Sequence, residues 1–98
     1  MENHAKVVII GGGVVGCSIL YHLSKFGLKD CILLERNELT SGSSWHAAGN
    51  VHVISSDPNI SRMMAYTIGL YKEIEKESGH SVGFKPSGGF YLASNEVW

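Results

Sequence analysis

Lys6 to Gly16 reads KVVIIGGGVVG, and the reading of this stretch decides the fold. Val7 to Ile10 is an apolar, β-branched run of the kind that forms a buried parallel strand, and three glycines follow where such a strand turns sharply into a helix. Gly11, Gly13 and Gly16 stand at GxGxxG spacing. Gly11 permits the turn, Gly13 lets the backbone approach a pyrophosphate, and Gly16 lets the helix pack close to the strand. The N-terminus of that helix, at Val14 and Val15, presents unpaired N–H groups and the positive end of its dipole to phosphate.

Such a glycine motif is a weak signal alone and gains its force from context. Here Ile19, Leu20 and Leu23 recur at helical spacing, Gly27 supplies a left-handed stop, and Cys31 to Leu34 form a second apolar strand. Glu35 ends that strand, where a carboxylate accepts hydrogen bonds from ribose hydroxyls. Residues 6–35 therefore predict a Rossmann-like βαβ unit of an α/β fold that binds a dinucleotide.

The segment from Glu35 to Asn50, ERNELTSGSSWHAAGN, departs from what a nicotinamide enzyme offers, which is an early return into another βα unit. The hydroxyls of Thr40, Ser41, Ser43 and Ser44, with the open backbone of Gly42, suit a second wrap around a pyrophosphate or flavin. As chemistry this marks a phosphate-rich ligand and leaves FAD and NAD both open.

VVIIGGGVVG, ILLER and above all LTSGSSWHAAGN together resemble the dimethylglycine and sarcosine dehydrogenase group of FAD-dependent amine oxidoreductases, within the D-amino-acid oxidase superfamily. The likeness extends through NISRMMAYTIGLYKEIEKESG and VGFKPSGGFYLAS, nearly the whole chain. The first motif is shared by many flavoproteins, whereas SSWHAAG is much narrower. The resemblance implies FAD held by Gly11, Gly13, Val14, Val15, Gly16, Glu35 and Arg36, and by Gly42, Ser43, Ser44, Trp45, His46, Ala47, Ala48 and Gly49. It further implies that His46 carries the flavin through a bond from the imidazole to the 8α methyl carbon, which suits a neutral imidazole nucleophile. Trp45 either stacks on the flavin or anchors the loop.

Downstream, residues 58–78 predict a long amphipathic helix, with Asp57 as its cap, Pro58 in its first turn and Gly79 at its end. Ile60, Met63, Met64, Thr67, Ile68, Tyr71 and Ile74 make its buried stripe, and Lys72, Glu73, Glu75, Lys76 and Glu77 a solvated face. Residues 81–93 predict two strands joined at Pro86 to Gly89, with Phe90 and Leu92 alternating against Tyr91 and Ala93. Ser94 to Trp98 reads as a helix start, Ser94 capping it and Glu96 in its first turn. Residues 1–80 are thus expected to be the N-terminal part of an FAD-binding domain and 81–98 the start of a substrate-domain sheet, both incomplete.

With 98 residues, the chain is shorter than oxidoreductases of this kind. It reads as an N-terminal piece of a longer enzyme, inactive by itself. A net charge of -1 offers no basic patch for nucleic acid, and no segment reaches the roughly 20 apolar residues of a membrane span. His4, His22, His52 and His80 lack the spacing of a metal site. Cys17 and Cys31 read as small apolar fillers on a buried helix face and a buried strand. The early first strand and the two unpaired cysteines point to the cytoplasm, or to the mitochondrial matrix if a transit peptide has been removed.

For function, the resemblance implies hydride transfer from the N-methyl carbon of a small amino acid such as dimethylglycine or sarcosine to the flavin. Electron-transfer flavoprotein or oxygen would be the acceptor, and tetrahydrofolate a further cofactor in a C-terminal part. Two alternatives stand beside this: another FAD-dependent amino-acid or amine oxidoreductase with noncovalent flavin, and a nonenzymatic nucleotide-binding module. Catalytic residues would lie beyond Trp98.

Overall fold

In the computed structural model, residues 3–95 are described. They contain strand β1 (Val7–Ile10), helix α1 (Val14–Lys25), strand β2 (Cys31–Leu34) and helix α2 (Pro58–Ser78). The fold is α/β, and it divides into two units between Gly49 and Asn50.

The first unit is the βαβ unit. β1 and β2 pair in parallel, from Val7 opposite Cys31 to Ile10 opposite Leu34. The ladder continues one step past the strands, where the Gly11 N–H donates to the Leu34 carbonyl at 2.8 Å. At the other end, the N–H groups of Lys6 and Val7 both donate to the Asp30 carbonyl, at 3.1 and 3.2 Å. α1 has the apolar spacing of an amphipathic helix and packs on both strands. It ends at Phe26, after which Gly27 takes φ +90°, the left-handed stop expected of it.

Helix α1 covers one face of the strand pair. Ile9 points into that face and is 7 % exposed, whereas Val8 and Ile10 point away and are open to solvent. The unbroken apolar run predicts strands covered on both faces; among the described residues only one face is covered. Cys17 and Cys31 are accordingly half-buried rather than buried, both are free thiols, and they donate to the carbonyls of Gly12 and Leu28.

In the second unit, α2 has the bounds its sequence predicts. The Asp57 carboxylate accepts from the N–H groups of Asn59 at 2.7 Å and Ile60 at 3.2 Å, Pro58 opens the first turn, and Gly79 closes the helix at φ +71°. The expected stripe is only partly covered. Met64, Thr67, Ile68, Tyr71 and Ile74 are half-buried, but Ile60 and Met63 are exposed. One member of the expected solvated face also behaves differently: the Glu75 carboxylate turns back to accept the Val82 N–H at 2.9 Å and the Ser81 hydroxyl at 3.5 Å. It thereby holds the chain that leaves the helix, and the Phe84 ring settles 6.2 Å from that of Tyr71.

The strand pair expected over residues 81–93 does not form; these residues take no regular secondary structure and make no ladder. Phe90 and Leu92 are 99 % and 97 % exposed. Left-handed Gly83 and Gly88 interrupt the strand conformation, and the turn tightens to a three-residue bond from the Ser87 N–H to the Lys85 carbonyl at 2.8 Å. A two-stranded hairpin with no covered face is marginal in water. The helix start read at Ser94 to Trp98 extends beyond the described residues.

Candidate cofactor site

The site begins with the turn between β1 and α1. Gly11 takes φ +107°, a conformation that side chains resist, and the chain then enters α1 through an extended Gly13. Gly16 lies so close to the turn that a Cβ there would sit 1.9 Å from the Gly11 carbonyl oxygen. This contact places the first turn of α1 against the end of β1.

Glu35 stands one residue past β2, in register with that turn. Its Oε2 accepts the Gly12 N–H at 2.7 Å and its Oε1 accepts the Asn37 N–H at 3.0 Å. These two bonds, that of Asn37 foremost, hold the carboxyl below the ordinary carboxylate range. A depressed folded pKa contributes stability that is present above the ordinary carboxylate value and lost as pH falls through the lowered one. In the full-length protein, the urea midpoint of wild type should therefore fall more steeply between about pH 6 and pH 3 than that of Glu35→Gln. Parallel curves for the two would refute this role of the charge.

Residues 39–46 form a compact series of turns that docks on the glycine turn at two points. The Thr40 N–H donates to the Gly12 carbonyl at 2.8 Å, and the Ser44 hydroxyl accepts the Val14 N–H, also at 2.8 Å. Internal bonds, such as that from the Trp45 N–H to the Thr40 carbonyl at 3.1 Å, make the segment a unit. Thr40 adopts φ +64°, the one non-glycine residue at positive φ among those described. For a β-branched residue this costs on the order of 1–3 kcal/mol, which the docking bonds offset.

His46 closes this segment. Its Nδ1 lies 3.0 Å from the Gly42 carbonyl oxygen. A carbonyl only accepts, so in the neutral ring Nδ1 carries the hydrogen and Nε2 keeps the free lone pair. The Trp45 indole stands edge-on to the imidazole with centroids 6.1 Å apart, and it is 74 % exposed, so it is not a packed anchor of the loop.

A cleft of about 540 Å³ lies over these elements. It is lined by Gly11, Gly13, Val14, Val15 and Gly16 from the turn and α1, by Glu35, and by Gly42, Ser43, Ser44 and Ala47 from the loop. Arg36, Trp45, His46, Ala48 and Gly49 do not line it. Ile9, Ile10 and Ile19 complete the wall. Sequence reasoning overlooked Gly12, which is buried; a Cβ there would stand 2.6 Å from Leu39 Cδ2 and 3.0 Å from Glu35 Cβ. The middle glycine of GGG, outside the GxGxxG positions, was the available sign that two segments converge on this turn. Among the described residues, no group of three or more His, Cys, Asp or Glu side chains is arranged to hold a metal.

The cleft fits a dinucleotide. A side chain at Gly13 would stand 3.2 Å from the Ser44 Oγ and fill the space over the helix N-terminus, which glycine leaves open. The fold and this cradle together define a Rossmann-type dinucleotide-binding unit. Residues 6–98 match the family described as FAD dependent oxidoreductase, and the chain belongs to that family. It is 46 % identical over 96 residues to human mitochondrial dimethylglycine dehydrogenase, covering 98 % of this chain and 11 % of that protein. It is 42 % identical over 96 residues to human mitochondrial sarcosine dehydrogenase, covering 97 % and 10 %. To the formaldehyde-forming 4-methylaminobutanoate oxidase of Paenarthrobacter nicotinovorans it is 40 % identical over 93 residues, covering 95 % and 11 %. The chain thus spans about a tenth of the length of these curated relatives.

Proposed function

We propose that the protein to which this chain belongs oxidises the N-methyl group of a small amino acid such as dimethylglycine or sarcosine, with FAD held in the cleft above the βαβ unit. The observation that carries the reading is the docking of the His46 loop on the glycine turn, through Thr40 and Ser44. It joins a pyrophosphate cradle to a histidine with a free Nε2. Three relatives whose names specify N-methylated amines or amino acids support the substrate class.

In this reading α1 supplies N–H groups at Val15 and Gly16 to the pyrophosphate, with Gly11 and Gly13 keeping the approach clear and the Val14 N–H held by Ser44. Glu35 accepts from the ribose hydroxyls in exchange for its bond to Gly12, beside Arg36. Gly42, Ser43, Ser44, Ala47, Ala48 and Gly49 form the second wrap. Ser44 accepts from Val14 and still has its own hydroxyl hydrogen to donate to a phosphate oxygen. His46 presents Nε2 for attachment to the flavin 8α carbon, next to the exposed Trp45. The bound flavin supplies the hydride acceptor; the chain's own part is to bind, orient and electrostatically tune it.

Electron-transfer flavoprotein or oxygen is the proposed acceptor of the reducing equivalents, tetrahydrofolate a proposed acceptor of the one-carbon unit in a C-terminal part. Residues 1–80 belong in this view to the FAD-binding domain and 81–98 to the start of the substrate domain. The proposed compartment is the cytoplasm or the mitochondrial matrix. Among the described residues no helix is long and apolar enough to cross a membrane.

The test is anaerobic mixing of the full-length protein with dimethylglycine or sarcosine. The flavin absorbance should bleach with either or both and stay unchanged with glycine. Bleaching by other amines or hydroxy acids alone would assign a different oxidoreductase. Flavin that no substrate bleaches would make this a nonenzymatic nucleotide-binding module.

A further inference from the structure

Ser44 stands two residues before His46, and its hydroxyl is the loop's side-chain tie to α1: the Val14 N–H donates to Ser44 Oγ at 2.8 Å. The second tie runs through backbone, from the Thr40 N–H to the Gly12 carbonyl at 2.8 Å. The anchors Gly12 and Val14 are separated by one residue, Gly13. A loop pinned at both places has its position set by the pyrophosphate turn. Its last turn is closed by the bonds from the His46 N–H to the Ser43 carbonyl at 3.1 Å and from the Ala47 N–H to the Ser44 carbonyl at 3.4 Å. Displacing Ser44 therefore displaces the imidazole.

From this geometry we propose that Ser44 is a positioning residue for covalent flavin attachment, registering His46 against the first turn of α1 through the Val14 N–H. The inference rests on His46 as the attachment site. Ser44 acts through His46 and forms no covalent bond itself. In the attachment, Nε2 joins the flavin 8α carbon in place of one methyl hydrogen. An electron pair and two protons are thereby released, and dioxygen in the buffer takes them up as hydrogen peroxide. Misplacement of a reacting group by about 1 Å costs up to about a hundredfold in rate, so the loss of this bond should appear in the rate of attachment even when the cleft is full.

Two substitutions break the same bond from opposite sides. Ser44→Ala removes the acceptor. Val14→Pro removes the donor at the first helical position, where proline is tolerated and the extended Gly13 before it is compatible. Full-length apo-protein is mixed with saturating FAD in air, total bound flavin is measured, and the acid-stable fraction is followed by fluorescence of the denatured protein. With FAD raised until each protein is fully occupied, both variants should attach it about tenfold or more slowly, and Ser44→Thr, which restores a hydroxyl, should recover most of the rate. Wild-type attachment rates in both Ser44→Ala and Val14→Pro at full occupancy would overturn the inference while leaving His46 in place. Wild-type protein that forms no acid-stable flavin would overturn attachment at His46 and this inference with it.

Discussion

Full-length protein carrying Gly16→Ala should lose its flavin and much of its thermal stability. The added Cβ would stand 1.9 Å from the Gly11 carbonyl oxygen and 3.0 Å from the Gly11 carbonyl carbon. Both obstacles are backbone, at a residue with φ +107° whose N–H is bonded to Leu34, so neither can move aside as a flexible side chain would. The helix must lift from the strand instead. Overpacking of this kind costs about 1–3 kcal/mol and occasionally more, and the lift also withdraws the N–H groups of α1 from the phosphates. We expect FAD affinity to fall by at least a hundredfold, since two such phosphate-facing hydrogen bonds at roughly 1.5–3 kcal/mol each are lost. Flavin content after purification and a thermal melt measure both effects. Gly69→Ala is the control: it lies in α2 with open space at its Cβ position, and helix propensity predicts about 1 kcal/mol of stabilisation there. Wild-type flavin content in Gly16→Ala would show that the close approach does not govern the cradle.

The second large effect is all-or-none. With His46→Ala, full-length protein should release all of its flavin on acid precipitation, whereas wild type should retain it. A tryptic digest of wild type should show the flavin mass on the peptide spanning 37–62, since Arg36 and Arg62 bound it. Within that peptide His52 is the other histidine, so His52→Ala should leave the acid-stable flavin intact. The bond should be to Nε2, because Nδ1 is engaged with the Gly42 carbonyl at 3.0 Å. Complete release of FAD from wild-type protein in acid would leave His46 a neighbour of the cofactor and favour a noncovalent flavoenzyme.

Much of this molecule is written in local sequence. GxGxxG after a β-branched run, the helical spacing up to Leu23 and Gly27, and the strand ending at Glu35 yield the βαβ unit within a residue or so. Each of these signals acts through backbone conformation or hydrogen bonding between neighbours in the chain. The same holds for α2, whose cap at Asp57, proline at 58 and glycine at 79 set its bounds. Glu35 was legible because the parallel register returns the end of β2 to the glycine turn.

What local sequence left undecided concerns which surfaces meet. The apolar pattern of Val7 to Ile10 states that the residues suit burial, but only the packing of α1 decides that Ile9 is covered while Val8 and Ile10 are open. Alternation at Phe90 to Ala93 likewise suits a strand, yet a strand needs a partner. Gly83 and Gly88 in left-handed conformations and the absence of a covering face leave that segment irregular and without a ladder. Gly12 lies between two fingerprint glycines, and its burial against Leu39 and Glu35 follows from a loop more than twenty residues away. The sequence by itself determined the dinucleotide-binding unit and pointed to the histidine loop. Only the tertiary structure decided that this loop is tied to the glycine turn through Thr40 and to the first turn of the helix through Ser44, because hydrogen bonds between distant segments depend on where the parallel strands bring them and not on any local preference of the residues that make them.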